Sequence, residues 1–304
     1  MTPRFSVVVP TYERPAALGR CLAALARQDY PRDGFEVIVV DDGGARPVAE
    51  TMPPPALAVQ ILRIRNAGAA GARNAGAAVA RGRYLAFTDD DCRPAPAWLR
   101  MLEARLARAP GAMVGGRTVN GLPENPWATA SQVVVAMAYA FYNADSEAPR
   151  FFASNNMALP ADLFAAVGGF RAEAFRVASE DRELCDRWRH AGHRLAYEPD
   201  AVVEHAHDLV FGSFCAQHFR YGRGAMRYHQ ARAARGSGRL REHLPFYLHL
   251  PRLVRQATGA LPPSAVARVV PRLLLWQLCN AGGYAYERTR EVVRRAPALQ
   301  RVAT

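Results

Sequence analysis

The stretch Arg83-Tyr84-Leu85-Ala86-Phe87-Thr88-Asp89-Asp90-Asp91 decides how the rest of the chain is read. Its apolar, aromatic-containing run reads as a buried strand, and the run stops at three consecutive carboxylates. In an open α/β sheet, ligands sit at the carboxyl ends of the strands. Adjacent carboxylates repel one another. A hard divalent cation, Mg²⁺ or Mn²⁺, shared with a phosphorylated ligand would relieve that repulsion. The competing reading is a solvated acidic turn that caps the next helix, a role aspartate fills well.

Upstream, the same pattern repeats. Phe5-Ser6-Val7-Val8-Val9-Pro10 reads as a first buried strand, followed by Thr11-Tyr12-Glu13-Arg14 and a helix that starts near Pro15. Phe35-Glu36-Val37-Ile38-Val39-Val40 reads as a second strand and runs directly into Asp41-Asp42-Gly43-Gly44. Val59 to Ile64 reads as a third, and a helix rich in small residues follows it, with Arg73 and Asn74 inside. Glycines at 68, 71 and 76 do not have the spacing of a dinucleotide fingerprint, and the first strand lacks that turn, so a Rossmann dehydrogenase is discounted. Residues 1–108 thus alternate strand and helix four times, the pattern of a parallel sheet covered on both faces. Three strand ends carry polar ligand candidates: Thr11 to Glu13, Asp41 with Asp42, and Asp89 to Asp91.

Composition narrows the chemistry. All 39 basic residues are arginine, which excludes a Schiff-base lysine, a P-loop lysine and a lysine general base. Five scattered cysteines without CxxC spacing argue for a reducing compartment, and against a disulfide framework or a zinc site. No signal peptide is evident, and no apolar run reaches the ~20 residues of a membrane span. From Leu209 onward sixteen arginines stand against three glutamates, whereas the preceding part is close to neutral. A basic tail favours anionic lipid, a phosphorylated acceptor or nucleic acid.

Downstream, Ala112 to Val119 reads as a strand and Trp127 to Tyr142 as a helix. Ala161 to Val167 is a short helix stopped by Gly168-Gly169. Ser179-Glu180-Asp181 opens a helix through His190, with acidic residues in its first turn. Arg194 to Tyr197 and Ala201 to Val203 look extended and lead to Glu204-His205-Ala206-His207. Cys215 to Arg235 reads as a basic helix. Leu273-Leu274-Leu275-Trp276, flanked by arginine, suits either an interfacial helix or ordinary packing.

Together these pieces carry a resemblance. Val8-Val9-Pro10-Thr11-Tyr12, Val39-Val40-Asp41-Asp42-Gly43, Arg73-Asn74-Ala75-Gly76, Thr88-Asp89-Asp90-Asp91, Glu180-Asp181 and His205 resemble, in order and spacing, the motifs of the family 2 inverting glycosyltransferases, from residue 4 to about 224. The resemblance implies an α/β GT-A fold (nucleotide-diphospho-sugar transferase-like) as a single domain with a mainly parallel central sheet, plus a basic helical C-terminal appendage. It divides the chain into 1–235, with 1–110 as the nucleotide-binding half and 111–235 as the acceptor half, and a basic amphipathic tail over 236–304. It implies that Pro10, Thr11, Tyr12 and Glu13 line the nucleotide, that Asp42 or Asp41 accepts the base's imide N–H, and that Arg73 and Asn74 lie near the nucleotide or its phosphates. Asp89 and Asp90 would face the donor. Asp89 and Asp91 form the DxD, with Asp91 the expected direct ligand of Mg²⁺ or Mn²⁺ and His205 a further one. Asp181 would be the general base beside Glu180. Taken singly, Ser179-Glu180-Asp181 is equally a helix cap, and His205 a structural histidine.

The implied reaction moves a sugar from a nucleotide-sugar, read as a UDP-sugar, to a hydroxyl of a saccharide or lipid-linked acceptor in cell-envelope polysaccharide or glycolipid synthesis. The expected place is the cytoplasm, at the inner face of the membrane, with peripheral contact through the tail. Gln217-His218-Phe219-Arg220-Tyr221 resembles the QxxRW element of processive members, with Tyr221 in place of tryptophan. A sugar nucleotidyltransferase is the alternative on a similar sheet, but it depends on a glycine-rich first loop and a lysine. A basic nucleic-acid-binding protein is the other, and its phosphates would meet an acidic cluster; no nucleic-acid partner is expected.

Overall fold

The computed structural model describes residues 2–51, 57–145 and 147–300; residues 301–304 of the expected tail lie outside it. In chain order the strands are β1 (Phe5–Thr11), β2 (Phe35–Asp41), β3 (Val59–Arg63), β4 (Tyr84–Phe87), β5 (Cys92–Pro94), β6 (Met113–Asn120), β7 (Met157–Pro160) and β8 (Leu195–His205). The α-helices are α1 (Pro15–Leu25), α2 (Val48–Thr51), α3 (Gly68–Val79), α4 (Trp98–Arg108), α5 (Pro126–Tyr142), α6 (Ala161–Ala166), α7 (Glu180–His190), α8 (Phe211–Arg235), α9 (Leu244–Leu248), α10 (Leu250–Thr258) and α11 (Pro263–Gln300).

The chain forms two compact units. The first comprises Met1–Pro123, Ala138–Arg176 and Glu180–His207; the second comprises Glu124–Met137, Val177–Ser179 and Asp208–Thr304. Residues 208–235 therefore group with the tail, at the point where the arginine excess begins.

The first unit holds one eight-stranded sheet in the order β3-β2-β1-β4-β7-β6-β8-β5. The first four strands in that order run parallel, which puts the ends at Thr11, Asp41 and Phe87 on one edge. β7 then runs antiparallel between β4 and β6, and β5 antiparallel to β8. Strand alternation explains the two cores. Phe5, Val7 and Val9 face one side, packed with Leu18, Leu22 and Leu25 of α1 and Leu99 and Leu102 of α4. Val8, Ile38 and Val40 face the other, with Ala70 and Ala72 of α3 and Leu184 and Trp188 of α7. Fully burying each such valine or leucine stabilises by roughly 1.5–3 kcal/mol. The small residues of α3 let it lie close on the sheet: a Cβ at Gly76 would sit 2.5 Å from Val8 Cγ1 and 3.0 Å from Val40 Cγ2.

Two local readings change. The extended pieces at Arg194–Tyr197 and Ala201–Val203 are one strand, β8, whose pairing with β6 slips between Gly116 and Arg117. And β5, three residues directly after the aspartates, is a strand that no local pattern signals.

In the second unit, α8 and α11 approach so closely that a methyl group at Gly222 would collide with the Asn280 carbonyl, and one at Gly283 with the Phe219 carbonyl. Buried Glu287 on α11 accepts hydrogen bonds from Arg223 Nε (2.6 Å) and Arg227 Nε (2.8 Å) on α8. The run at Leu273 divides by helical period: Leu273 and Trp276 are buried, while Leu274 and Leu278 are 66 % and 72 % exposed. No helix among the described residues is long and apolar enough to cross a membrane.

Candidate active site

The triple aspartate leaves β4 at the edge where the parallel strands end, and each carboxylate there has its own surroundings. Asp89, the most exposed of the three, accepts from Arg73 NH2 at 2.5 Å. Asp90 is fully buried; its Oδ2 accepts from Thr11 Oγ1 at 2.7 Å, and Arg14 lies against both of its oxygens. Asp91 Oδ2 accepts from Arg14 NH1 at 2.8 Å, and Asp91 Oδ1 lies 3.3 Å from His205 Nε2. Strand β5 makes that last meeting. It pairs Cys92 with His205 and Arg93 with Glu204, so a histidine 114 positions later in the chain returns beside the acidic turn. The Asp91 carbonyl also accepts from the Ala206 amide at 2.8 Å.

The electrostatics follow this arrangement. Burial opposes charge on Asp91, but His205 and Arg14 outweigh it and hold the carboxyl well below the usual range. Burial likewise opposes the imidazolium of His205, and Asp91 overrides it, so the histidine is raised. His207, whose ring centroid is 4.9 Å from that of His205, is pushed down to about 4 by burial and by that neighbour. Burial, with Asp91 and Asp89 adding to it, raises Asp90 to about 7 against the pull of Arg14.

Arg73 joins this acidic edge to α7. Its NH1 donates to Glu180 Oε1 at 3.0 Å while NH2 holds Asp89, and its Nε is buried without a hydrogen-bond partner. Asp181 follows Glu180 in the first turn of α7, and its Oδ1 accepts from the Arg182 amide at 2.7 Å. Burial, then repulsion from Glu180, raises the Asp181 carboxyl to about 7. A carboxyl so placed exchanges a proton near neutrality, as a general base requires. Among the described residues, the non-glycine residues with left-handed backbone are Glu13 (φ +54°) and Ser179 (φ +71°). Each such backbone costs on the order of 1 kcal/mol or more.

Other candidates are engaged differently. Asp42 accepts from the Ala67 amide (2.7 Å) and the Gly68 amide (2.9 Å), so it caps the start of α3. Asp41 accepts from the Val48 amide and Arg63. An ionised carboxylate has about four lone-pair sites, so Asp42 keeps acceptor capacity for a ligand. Asn74 does not join the acidic group: its side chain donates to the Phe170 carbonyl (2.7 Å) and accepts from the Phe170 amide (2.9 Å), which fixes the loop after α6. Glu13 accepts from the Ala45 amide, and Tyr12 is 47 % exposed at the end of β1. Pro10 is buried within β1. Arg14 is the residue that sequence reasoning passed over. The signal was present, since a cation four positions past Pro10 stands at the strand end beside three carboxylates.

The donor set also suits a divalent cation. Asp91 Oδ1 is buried with no hydrogen bond and lies 3.3 Å from His205 Nε2, and Asp91, Cys92 and His205 each offer a donor atom within 4.8 Å of the others. Burial pushes the Cys92 thiol well up, which keeps it protonated and leaves carboxylate and imidazole as the donors.

Parallel strands that end at a carboxylate edge, in a sheet continued by an antiparallel strand, are the α/β architecture of the GT-A glycosyltransferase fold. Residues 6–180 match the family model of glycosyl transferase family 2, and the chain belongs to that family. It is similar to glycosyltransferase AglE of Haloferax volcanii, 26 % identical over 226 residues, which cover 73 % of each chain. It is also similar to the pre-mycofactocin glycosyltransferase of Mycobacterium tuberculosis, 31 % identical over 230 residues, which cover 72 % of this chain and 46 % of that one. The chain thus spans about half the length of that relative. Among solved structures, the mannosyltransferase PcManGT of Pyrobaculum calidifontis, in complex with GDP-Man and Mn²⁺, matches with a TM-score of 0.65 at 23 % identity, covering 94 % of this chain and 88 % of that one. TarS 1–349 of Staphylococcus aureus, in complex with UDP-GlcNAc, matches at 0.50 and 18 % identity, covering 95 % and 91 %. At such identities the two structures establish the fold.

Proposed function

We propose that this chain is a metal-dependent, inverting glycosyltransferase that passes a sugar from a nucleotide-sugar, a UDP-sugar in the first instance, to a hydroxyl of a saccharide or lipid-linked acceptor. The observation that carries this reading is Asp181, a carboxyl raised to about 7 and tied through Glu180 and Arg73 to the acidic strand end. Asp181 takes the proton of the acceptor hydroxyl as the new bond forms. Attack from the side opposite the leaving diphosphate is a single displacement and inverts the anomeric carbon. Glu180 holds Arg73 and adds its repulsion to the burial that raises the Asp181 carboxyl. Asp91 and His205 hold the cation, with Asp89 on its donor side; Mn²⁺ suits a mixed oxygen and nitrogen set better than Mg²⁺. When bound, the cation stabilises charge on the departing diphosphate as a Lewis acid. Pro10, Thr11, Tyr12 and Glu13 line the nucleotide, and Asp42 accepts a ring N–H of its base.

Uracil and guanine both present such an N–H, and the solved relatives hold GDP-Man in one case and UDP-GlcNAc in the other. A thermal-shift panel of nucleoside diphosphates, with and without Mn²⁺, separates them. The expected result is one base that stabilises the protein only with metal. At a hundred times its dissociation constant such a ligand adds ~2.7 kcal/mol of stability. No metal-dependent response to any nucleotide would remove the reading.

The tail supports a place at the membrane. Leu274 and Leu278 are exposed on α11, in a segment where arginine greatly exceeds glutamate, so apolar contact and charge both fit an anionic lipid surface. The reading puts the enzyme in the cytoplasm, at the inner membrane face. Vesicles containing phosphatidylglycerol should carry the protein into the pellet at low salt, and vesicles of phosphatidylcholine alone should not. Equal recovery with both would sink the lipid contact.

A further inference from the structure

Two neighbouring carboxylates share one arginine at the candidate metal position. The Arg14 guanidinium reaches Asp90 with Nε (3.2 Å to Oδ2) and NH2 (2.5 Å to Oδ1), and Asp91 with NH1 (2.8 Å to Oδ2). Thr11 completes the hold on Asp90 at 2.7 Å. Asp90 Oδ1 and Asp91 Oδ1 are both buried without a hydrogen bond, but the first is in ion contact with Arg14, whereas Asp91 Oδ1 lies outside this web with His205 Nε2 at 3.3 Å. A planar guanidinium with five donors can bridge two carboxylates in a fixed orientation; a compact ammonium cannot.

We propose that Arg14 is a positioning residue for the metal-binding carboxylate. It turns Asp90 away from the cation and fixes Asp91 so that Oδ1 alone is offered beside His205. The inference rests on the reading of Asp91 and His205 as the cation's protein ligands. Asp89 Oδ1 is held by Arg73, Asp90 is held by Arg14 and Thr11, and Asp91 Oδ1 is clear of both arginines. Partners that orient a metal ligand in this way are worth roughly 10- to 100-fold in metal affinity. The opposite role is equally definite: an arginine that competes with the cation for Asp91 would weaken metal binding, and its removal would tighten it.

Mn²⁺ titrations of the full chain with saturating UDP, followed by the electron paramagnetic resonance of free Mn²⁺, separate the two. Arg14→Gln should bind Mn²⁺ roughly 10- to 100-fold more weakly than wild type. Arg14→Lys, which keeps the charge and loses the bridge, should recover little of that loss. Removing Arg14 takes a counter-charge from buried Asp90 and Asp91, so Arg14→Gln should melt below the metal-free wild type, and metal affinity is compared well below the melting point of each variant. Unchanged or tighter binding by Arg14→Gln overturns the inference. So does full recovery in Arg14→Lys, which would reduce the arginine to a neutralising charge. Wild type that binds no Mn²⁺ under any nucleotide overturns the metal reading itself, and this inference with it. That outcome is visible before any variant is made.

Discussion

Asp181→Asn should lower kcat by roughly a hundred- to ten-thousandfold, the contribution of a positioned general base, and leave nucleotide affinity unchanged. The substitution is small in structural terms. The asparagine oxygen still accepts from the Arg182 amide, so the start of α7 keeps its hydrogen bond. The acceptor site for the hydroxyl proton is what disappears. The raised pKa gives the prediction a second axis. Below about 7 Asp181 carries a proton and cannot act as a base, so kcat/KM of the wild-type protein should climb as pH rises through that value and then level. The residual activity of Asp181→Asn should lack that climb. Steady-state transfer measured from pH 5 to 9 tests both; a variant that keeps wild-type turnover, or keeps the same rise, moves the base elsewhere.

Asp91→Asn should reduce Mn²⁺ affinity by at least on the order of a hundredfold, more than loss of a residue that merely orients a ligand. The Oδ1 atom beside His205 is the one buried carboxylate oxygen of Asp91 without a hydrogen bond, and asparagine removes its charge. Arg14 keeps both oxygens of Asp90, so the turn retains an anchor. The variant should therefore fold, bind metal-free nucleotide as before and lose the added stability that nucleotide with Mn²⁺ confers. Calorimetric titration with Mn²⁺ in the presence of nucleotide provides the check. Binding equal to wild type would mean that Asp91 is not a ligand.

Much of this site was legible because its signals are local. A β-rich run that ends in aspartate marks a strand end wherever it occurs, and parallel pairing then brings Thr11, Asp41 and the acidic turn to one edge. The pairing of Asp91 with His205 was not legible in the same way. It depends on a three-residue strand, β5, too short to leave a period in the sequence. Arg14 was obscured for a different reason. Clustered carboxylates direct attention to an external cation, whereas the chain supplies a guanidinium of its own. Asp42 and Asn74 show the converse limit: a polar residue at a motif position can spend its hydrogen bonds on a helix start or a loop, and residue type alone does not reveal that. At Leu273–Trp276 the packing reading accounts for one face, where Leu273 and Trp276 are buried, while Leu274 on the other face is exposed.

The glycine crossing of α8 and α11 bears on where this chain can be cut. A chain stopped at residue 235 would leave Arg223 and Arg227 without Glu287, and would uncover the strip of α8 that passes against Asn280. The motif-free tail is thus half of a helix pair, and an active shortened form has to keep α11 at least through Glu287 or replace the face it covers.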